Sequence, residues 1–447
     1  MQTNNCLKIK YILPVVLFFI GILAYAQLNV QSLSLLKNDS LTLDDIISEV
    51  IKNHPAIKQA EESVHKADAQ IGLAKAGYLP DVNGSINASH VGPVPELSVP
   101  DFGTFQLFPE NNLSAAVNVD QSIYDFGRTA SNVKFANESK ELQEKSLDAT
   151  KQQMALNVIR NYYALVYLQQ ALNIKDEQLK TLQEHLNHVK KLKATGSGTD
   201  YEVLSTQVKI SGVECQKLDL VAAHDKQLAI LNSLLGMPSK TPHLIKENFK
   251  AGSEANKGDS LILFAMTHRD ETQIAQKRID LASLHLDVVK TKNRPSVDFI
   301  ASGGFKNGYV PDINAIKGNY VVGLGVRIPI FDANRSKYDV MIAQSSVQSS
   351  SLESELVQRN VASEVVENES KLEFAAQKVN QTQLQLLQAK EAYKLAQVNY
   401  TSGAITNLEL LDAETNLSES ELMSLKARID YAISAYFLDA SLGNRLY

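Results

Sequence analysis

Two stretches of 68 residues, Arg128 to Thr195 and Arg335 to Ser402, contain neither glycine nor proline. Each is predicted as a single helix of about 100 Å at 1.5 Å rise per residue. No compact globular domain needs such a length. Leu165, Leu172, Leu179 and Leu186 recur every seven residues in the first stretch, with Leu168, Leu182 and Val189 beside them. In the second, Leu372, Val379, Leu386 and Tyr393 keep the interval and Tyr400 extends it. A sustained seven-residue period means coiled-coil-like packing.

The two stretches are copies. A shift of 207 residues carries "SIYDFGRTA" (Ser122 to Ala130) onto "PIFDANRSK" (Pro329 to Lys337), "ATGSGTDYEVL" onto "TSGAITNLELL", and "NSLLG" onto "DASLG". One register held without a gap over that span is the mark of an internal duplication. Upstream the shift is 215, placing Pro80 on Pro295 and Val82 on Val297. The change of register falls within 91–112 and 306–319, Gly- and Pro-rich stretches that read as exposed loops. The expected organisation is a first repeat over 27–240 and a second over 241–447. Each has a leading helix, a strand pair (79–124 and 295–331) and a long helical hairpin (128–236 and 335–443).

Residues 1–26 carry the pattern of a signal peptide: Lys8 and Lys10, an apolar run from Tyr11 to Leu23, then Ala24 and Ala26 before Gln27. The run is shorter than the roughly 20 apolar residues of a spanning helix, which favours cleavage over a membrane anchor. Losing Lys8 and Lys10 moves the formal charge from −6 to −8 and leaves Cys215 as the single cysteine, so an intrachain disulfide framework is excluded. No later stretch is apolar enough for a transmembrane helix, so residence in a membrane would rest on strands. Mild acidity without a basic, aromatic-rich patch argues against nucleic acid as a partner. "TGSGT" lacks the Gly-Lys-Ser/Thr of a phosphate loop, and no nucleophile, metal cluster or acid pair stands in a catalytic setting. The expectation is no enzyme, no cofactor and no metal.

Two segments per repeat alternate. Leu113, Ala115, Val117 and Val119 are apolar at odd positions while Ser114, Asn118 and Asp120 are polar, and Val82, Ile86 and Ala88 alternate likewise. In the second repeat Tyr320, Val322, Leu324 and Val326 stand opposite Gly323, Gly325 and Arg327, and Val297, Phe299 and Ala301 alternate likewise. Asp120 and Arg327 take equivalent positions on the polar face. Strands of about ten residues with this dyad period fit a transmembrane β-barrel. A soluble sandwich with one solvated face has the same pattern. The strand count argues for the barrel: four strands cannot close one, so several chains must pool theirs, and three chains would give twelve.

Taken together, "YLPDV" and "NRPSV" opening the outgoing strands, "IYDFGR" and "IFDANR" closing the returning ones, and the turn "NYTSGAITNLELLDAETNL" (Asn399 to Leu417) make the chain resemble the TolC-like outer membrane efflux proteins. The resemblance spans about Leu41 to Gly443. It implies a mainly α fold with a membrane β-barrel portion: a homotrimer whose strands form a twelve-stranded barrel among outer membrane lipid and whose helices form a periplasmic α-barrel tunnel. It further implies a passive conduit for efflux or type I secretion, working with a periplasmic adaptor protein and an inner-membrane transporter. The alternative is that the chain is itself a periplasmic adaptor, but adaptors carry one hairpin flanked by other modules, and this chain has two with two strand pairs.

The resemblance places the entrance and the adaptor-docking turns at Gly196 and Gly403, with Thr199 and Thr406 starting the returning helices. Tyr400, Glu409 and Asp412 match its gate positions, and Ile405 stands where the family carries an Arg. Asp200 and Glu202 are the acidic counterparts in the first repeat. Glu202 and Glu409 also sit at capping-box spacing from Thr199 and Thr406, so capping competes with pore lining. Asp412, which Ser205 replaces in the first repeat, is the stronger candidate for a carboxylate ring that attracts cations. Asp125 and Asp332 are placed to cap the long helices, and Arg128 and Arg335 fall where barrel gives way to helix. His185 and His188 could share a metal, but an unsupported pair on a helix surface is expected to be solvated.

Overall fold

The computed structural model describes residues 42–101, 103–243, 245 and 258–447, so the signal peptide lies outside the described residues. Each repeat builds the same series. In the first, α1 (Leu43–Asn53) and α2 (Pro55–Ala76) lead to β1 (Asp81–His90) and, past two short strands β2 (Glu96–Val99) and β3 (Gly103–Gln106), to β4 (Asn111–Tyr124). α3 (Arg128–Ala194) and α4 (Asp200–Leu235) follow as a hairpin. The second repeat runs α5 (Asp259–His268), α6 (Asp270–Thr291), β5 (Ser296–Lys306), β6 (Lys317–Arg327), α7 (Arg335–Thr401) and α8 (Asn407–Ser441). α3 and α7 are each 67 residues long, as their freedom from glycine and proline requires. Among the described residues no helix is long and apolar enough to cross a membrane.

The core sits midway along the hairpins. Leu43, Ile46, Ile47 and Val50 of α1 pack on Val158, Ile159, Tyr162 and Leu165 of α3, on Leu231 of α4 and on Leu425 and Ile429 of α8. A smaller cluster joins Leu261 and Ala265 of α5 to Val361 and Val365 of α7 and Leu438 of α8. Leu261 and Ala265 are the 215-shifted counterparts of Ile46 and Val50, so the duplication extends into the packing. The seam that α7 buries falls on Ser354, Val361, Asn368, Ala375 and Thr382, again every seven residues. Small and polar side chains there let helices approach closely and leave larger apolar residues of α7, such as Phe374, Leu384 and Leu395, exposed on one chain.

The four main strands form one antiparallel sheet in the order β1-β4-β5-β6. Register puts every alternating apolar residue on one face: Val82 opposite Val119, Val119 opposite Ala301, Ala301 opposite Val322. That face is uncovered, with Ile86 86% and Val322 65% exposed. The other face is polar and bonded across strands. Asn118 Nδ2 donates to Asn83 Oδ1 at 3.1 Å, and Ser302 Oγ donates to Asn118 Oδ1 at 2.9 Å. Gly304 is required where the strands close up, since a Cβ there would lie 2.1 Å from the Ala115 carbonyl oxygen. Tyr124, Phe126 and Phe331, exposed at the helix end of the sheet, stand where an aromatic girdle belongs. The stretch 91–112, expected to be a plain loop, holds the β2–β3 hairpin, with Leu97 opposite Phe105.

Each strand enters its long helix through two successive left-handed residues, Phe126–Gly127 and Ala333–Asn334. The preceding Asp ties this bend to the helix. Asp125 accepts from the Gly127 and Thr129 N–H groups at 3.0 and 2.6 Å, and Asp332 from the Ser336 N–H at 2.9 Å. At the far end both hairpins turn identically. Ser197 N–H donates to Leu192 O at 2.9 Å and Gly196 N–H to Lys193 O at 3.0 Å; their 207-shifted partners, Ala404 to Asn399 and Gly403 to Tyr400, repeat the bonds at 2.8 and 3.0 Å. This is the Schellman arrangement, which places a left-handed residue after the helix, and Gly196 and Gly403 both have φ of 75°.

Two outcomes follow from these elements. Val322→Arg puts a charge on the lipid-facing side and should cost about 2–4 kcal/mol of membrane-inserted stability at mid-depth, whereas Val321→Arg, one residue away on the polar face, should insert normally; urea titration in lipid vesicles compares them. In the α8 cap, the Thr406 N–H donates to Glu409 Oε2 at 2.7 Å, and the bonds from Thr406 hold that carboxyl below its ordinary value of 4.5. A depressed folded pKa means that the cap's contribution is complete above the ordinary value and lost as pH falls through the depressed one. The protection factors of the first-turn amides of α8, with the intrinsic pH dependence of exchange divided out, should therefore fall on acidification in the native protein and stay flat with pH in Glu409→Gln.

Candidate functional site at the hairpin turns

The two turns lie at the end of the helices remote from the sheet, and the candidate side chains there divide by what their charges already hold. Asp200 is ion-paired with Lys193 across the first turn. Glu202 Oε2 accepts from the Thr199 N–H at 2.7 Å, closing a capping box like that of Thr406 and Glu409. Three of the four acidic candidates are thus engaged in turn structure. Asp412 is exposed and makes no hydrogen bond or ion pair among the described residues. It stands on the outward side of α8 in a stripe with Glu409, Asn416 and Glu419, all exposed. Glu419 was not singled out from the sequence, although its spacing, one turn from Asn416 and two from Asp412, was readable there.

On the opposite side of α8, hairpin two is tied to hairpin one. Asn407, the first residue of α8, is 4% exposed. Its Nδ2 donates to Ser205 Oγ at 3.1 Å and Thr206 Oγ1 at 3.3 Å on α4, and its Oδ1 meets His185 Nε2 of α3 at 2.6 Å. The His185 ring lies edge-on to Tyr400, with centroids 5.2 Å apart, and His188 is 6.5 Å from the same ring. Burial pushes the His185 imidazole below its ordinary pKa and the Tyr400 phenol above its own. This corrects the reading of His185 as a solvated surface group: it is half-buried and bonded between hairpins. Among the described residues no three His, Cys, Asp or Glu side chains are grouped to hold a metal. Ile405 is half-buried in the turn and contributes no charge.

Below this tie the interface stays polar. Lys175 Nζ donates to Gln178 Oε1 at 2.8 Å and Ser418 Oγ at 3.2 Å, and Gln178 Nε2 donates to Glu414 Oε2 at 3.1 Å. All four side chains are buried. Desolvation lowers the Lys175 pKa and raises that of Glu414. Leu182 and Leu186 of α3, Ile210 and Val213 of α4 and Leu411 of α8 form the apolar layer above. Tyr400, Glu202 and Asn407 therefore converge on one junction, while Asp412 faces away from it. At the strand ends, Arg128 Nη2 donates to the Arg294 carbonyl oxygen at 3.0 Å, joining the repeats, and Arg335 is exposed.

Comparison with known proteins agrees with this architecture. The family profile described as "Outer membrane efflux protein" matches residues 46–237 and 265–444. "Outer membrane efflux protein BepC" of Brucella suis biovar 1 (strain 1330) is 22% identical over 409 residues, covering 89% of this chain and 84% of that protein. "Cation efflux system protein CusC" of Escherichia coli O157:H7 is 24% identical over 405 residues, covering 89% and 85%. The crystal structure of the outer membrane protein VceC from Vibrio cholerae superposes with a TM-score of 0.75 at 18% identity, covering 91% of this chain and 97% of that one. With a family match over 46–237 and 265–444, most of both repeats, this chain belongs to the outer membrane efflux protein family.

Proposed function

We propose that three copies of the chain pool their sheets into one closed barrel in the outer membrane and stand their hairpins together as a tunnel into the periplasm. The tunnel is a passive conduit for efflux or type I secretion. A periplasmic adaptor docks at the turns around Gly196, Thr199, Gly403 and Thr406, and an inner-membrane transporter supplies the energy. The observation that carries this reading is the sheet itself: one face apolar and uncovered apart from Gln121 and the His90–Asn111 pair near its ends, the other mostly polar, and both edge strands, β1 and β6, with one open side among the described residues. An unpaired edge in hydrocarbon costs several kcal/mol per group. With four antiparallel strands per chain, β6 of one copy meets β1 of the next in antiparallel order, so identical copies close without a mismatch. The names of relatives span cation efflux and protease secretion, which fits a tube common to both kinds of system. An adaptor would not need such a sheet.

The stripe of Glu409, Asp412, Asn416 and Glu419 supports a pore-lining role, with Asp412 and Glu419 making no hydrogen bond or ion pair among the described residues. Three copies around an axis make a carboxylate ring that concentrates cations. The junction at Asn407 supports a closing role, because it fixes hairpin two against hairpin one without the Arg that Ile405 replaces. Asp412→Ala should lower potassium over chloride preference in planar bilayers; unchanged selectivity would remove Asp412 from the pore wall. Asn407→Ala strips the buried partners of Ser205, Thr206 and His185, at a cost of about 1–3 kcal/mol. It should raise the resting conductance of the same channels, and an idle conductance equal to that of the native protein would sink the closing role.

A further inference from the structure

Beside the junction, α3, α7 and α8 line a half-open cavity of about 320 Å³. It lies between the two hairpins of one chain, and its volume falls at the lower end of the range for small-molecule sites. Its wall combines aromatic rings, from Tyr393, Tyr400 and His185, with a floor of leucines and two carboxylates, Glu184 and Glu414. Glu414 is the informative member. It is 6% exposed, its one hydrogen bond comes from Gln178, and it has no ion pair among the described residues. The buried Lys175 ammonium is committed to Gln178 and Ser418 instead. Lys209 and Lys175 act on Glu414 only from beyond ion-pair distance, a buried carboxylate whose countercharges stand off is costly, and tyrosine faces attract cations through the ring quadrupole. A bare metal ion finds too few donors here.

We infer that this cavity binds a compact organic cation of the alkyl- or arylammonium class, its charge beside Glu414 and its body against Tyr393 and Tyr400, and that the occupant braces hairpin two against hairpin one. The bracing rests on the channel reading above; the binding does not. The test is calorimetric titration of the full-length, detergent-solubilised protein with benzyltrimethylammonium chloride. The expected result is one saturable site per chain, weakened tenfold or more by E414Q and by Tyr400→Leu and kept in D412A. Native affinity in a folded E414Q overturns the site. Loss in D412A with retention in E414Q also overturns it, since the cation would then sit on the exposed stripe of α8. Should E414Q not fold, Tyr400→Leu, at a half-exposed position, decides by the same criterion. In bilayers the compound should reduce channel openings; binding without that reduction overturns the bracing, and binding by a protein that never conducts overturns the channel reading while the site stands.

Discussion

Hydrocarbon offers no partner to a backbone N–H or C=O, and that constraint organises everything else in this chain. The four-stranded sheet has one apolar face and two open edges, and in the assembly proposed above copies of the chain supply the missing ladder. Once the edges are joined in a ring, the helices that leave the strands at Asp125 and Asp332 have no freedom to scatter. They must descend side by side, and their length of 67 residues turns a ring of strands into a tube. The paired left-handed residues at 126–127 and 333–334, held by their Asp carboxylates, fix the direction of that descent.

The far end obeys a different balance. The turns are stiff, since both are closed by the same pair of backbone bonds and both returning helices begin with a capping box. The boundary between hairpins is polar: Asn407 and His185 at the tip, then Lys175, Gln178, Glu414 and Ser418 below. A polar interface holds through a small number of directional bonds instead of a broad apolar area, so it has discrete arrangements and comparatively low cost to shift between them.

Much of this was legible in the sequence because it is written in periodicity. Two helices without glycine or proline, strands of period two, glycines after the helices and Thr-x-x-Glu before the next are local signals, and duplication printed each of them twice. The β2–β3 hairpin was not legible: its strands are four residues each, too short for alternation to stand out among the surrounding glycines and prolines. The buried seam of α7 was missed for another reason. A search for heptads of large apolar residues finds Leu372, Val379 and Leu386, whereas the positions fully covered within one chain include Ser354, Asn368 and Thr382. The tie between His185 and Asn407 joins residues 222 apart in sequence, and nothing local marks them as partners. For the same reason Glu414, the most buried acid near the turn, was passed over in favour of exposed neighbours.

Asn407 and Asp200 occupy the same position in the two repeats, 207 residues apart, yet Asn407 is sealed between hairpins while Asp200 stands in solvent, paired with Lys193. The repeats are therefore quasi-equivalent, in the manner of chemically identical subunits that settle into unlike places in a shell. Duplication gave the chain two like hairpins, and their unlike surroundings leave a sealed Asn in one and an exposed Asp in the other at the same place after the turn. In the proposed trimer the tube wall would therefore hold three hairpins of each kind, alternating around the ring.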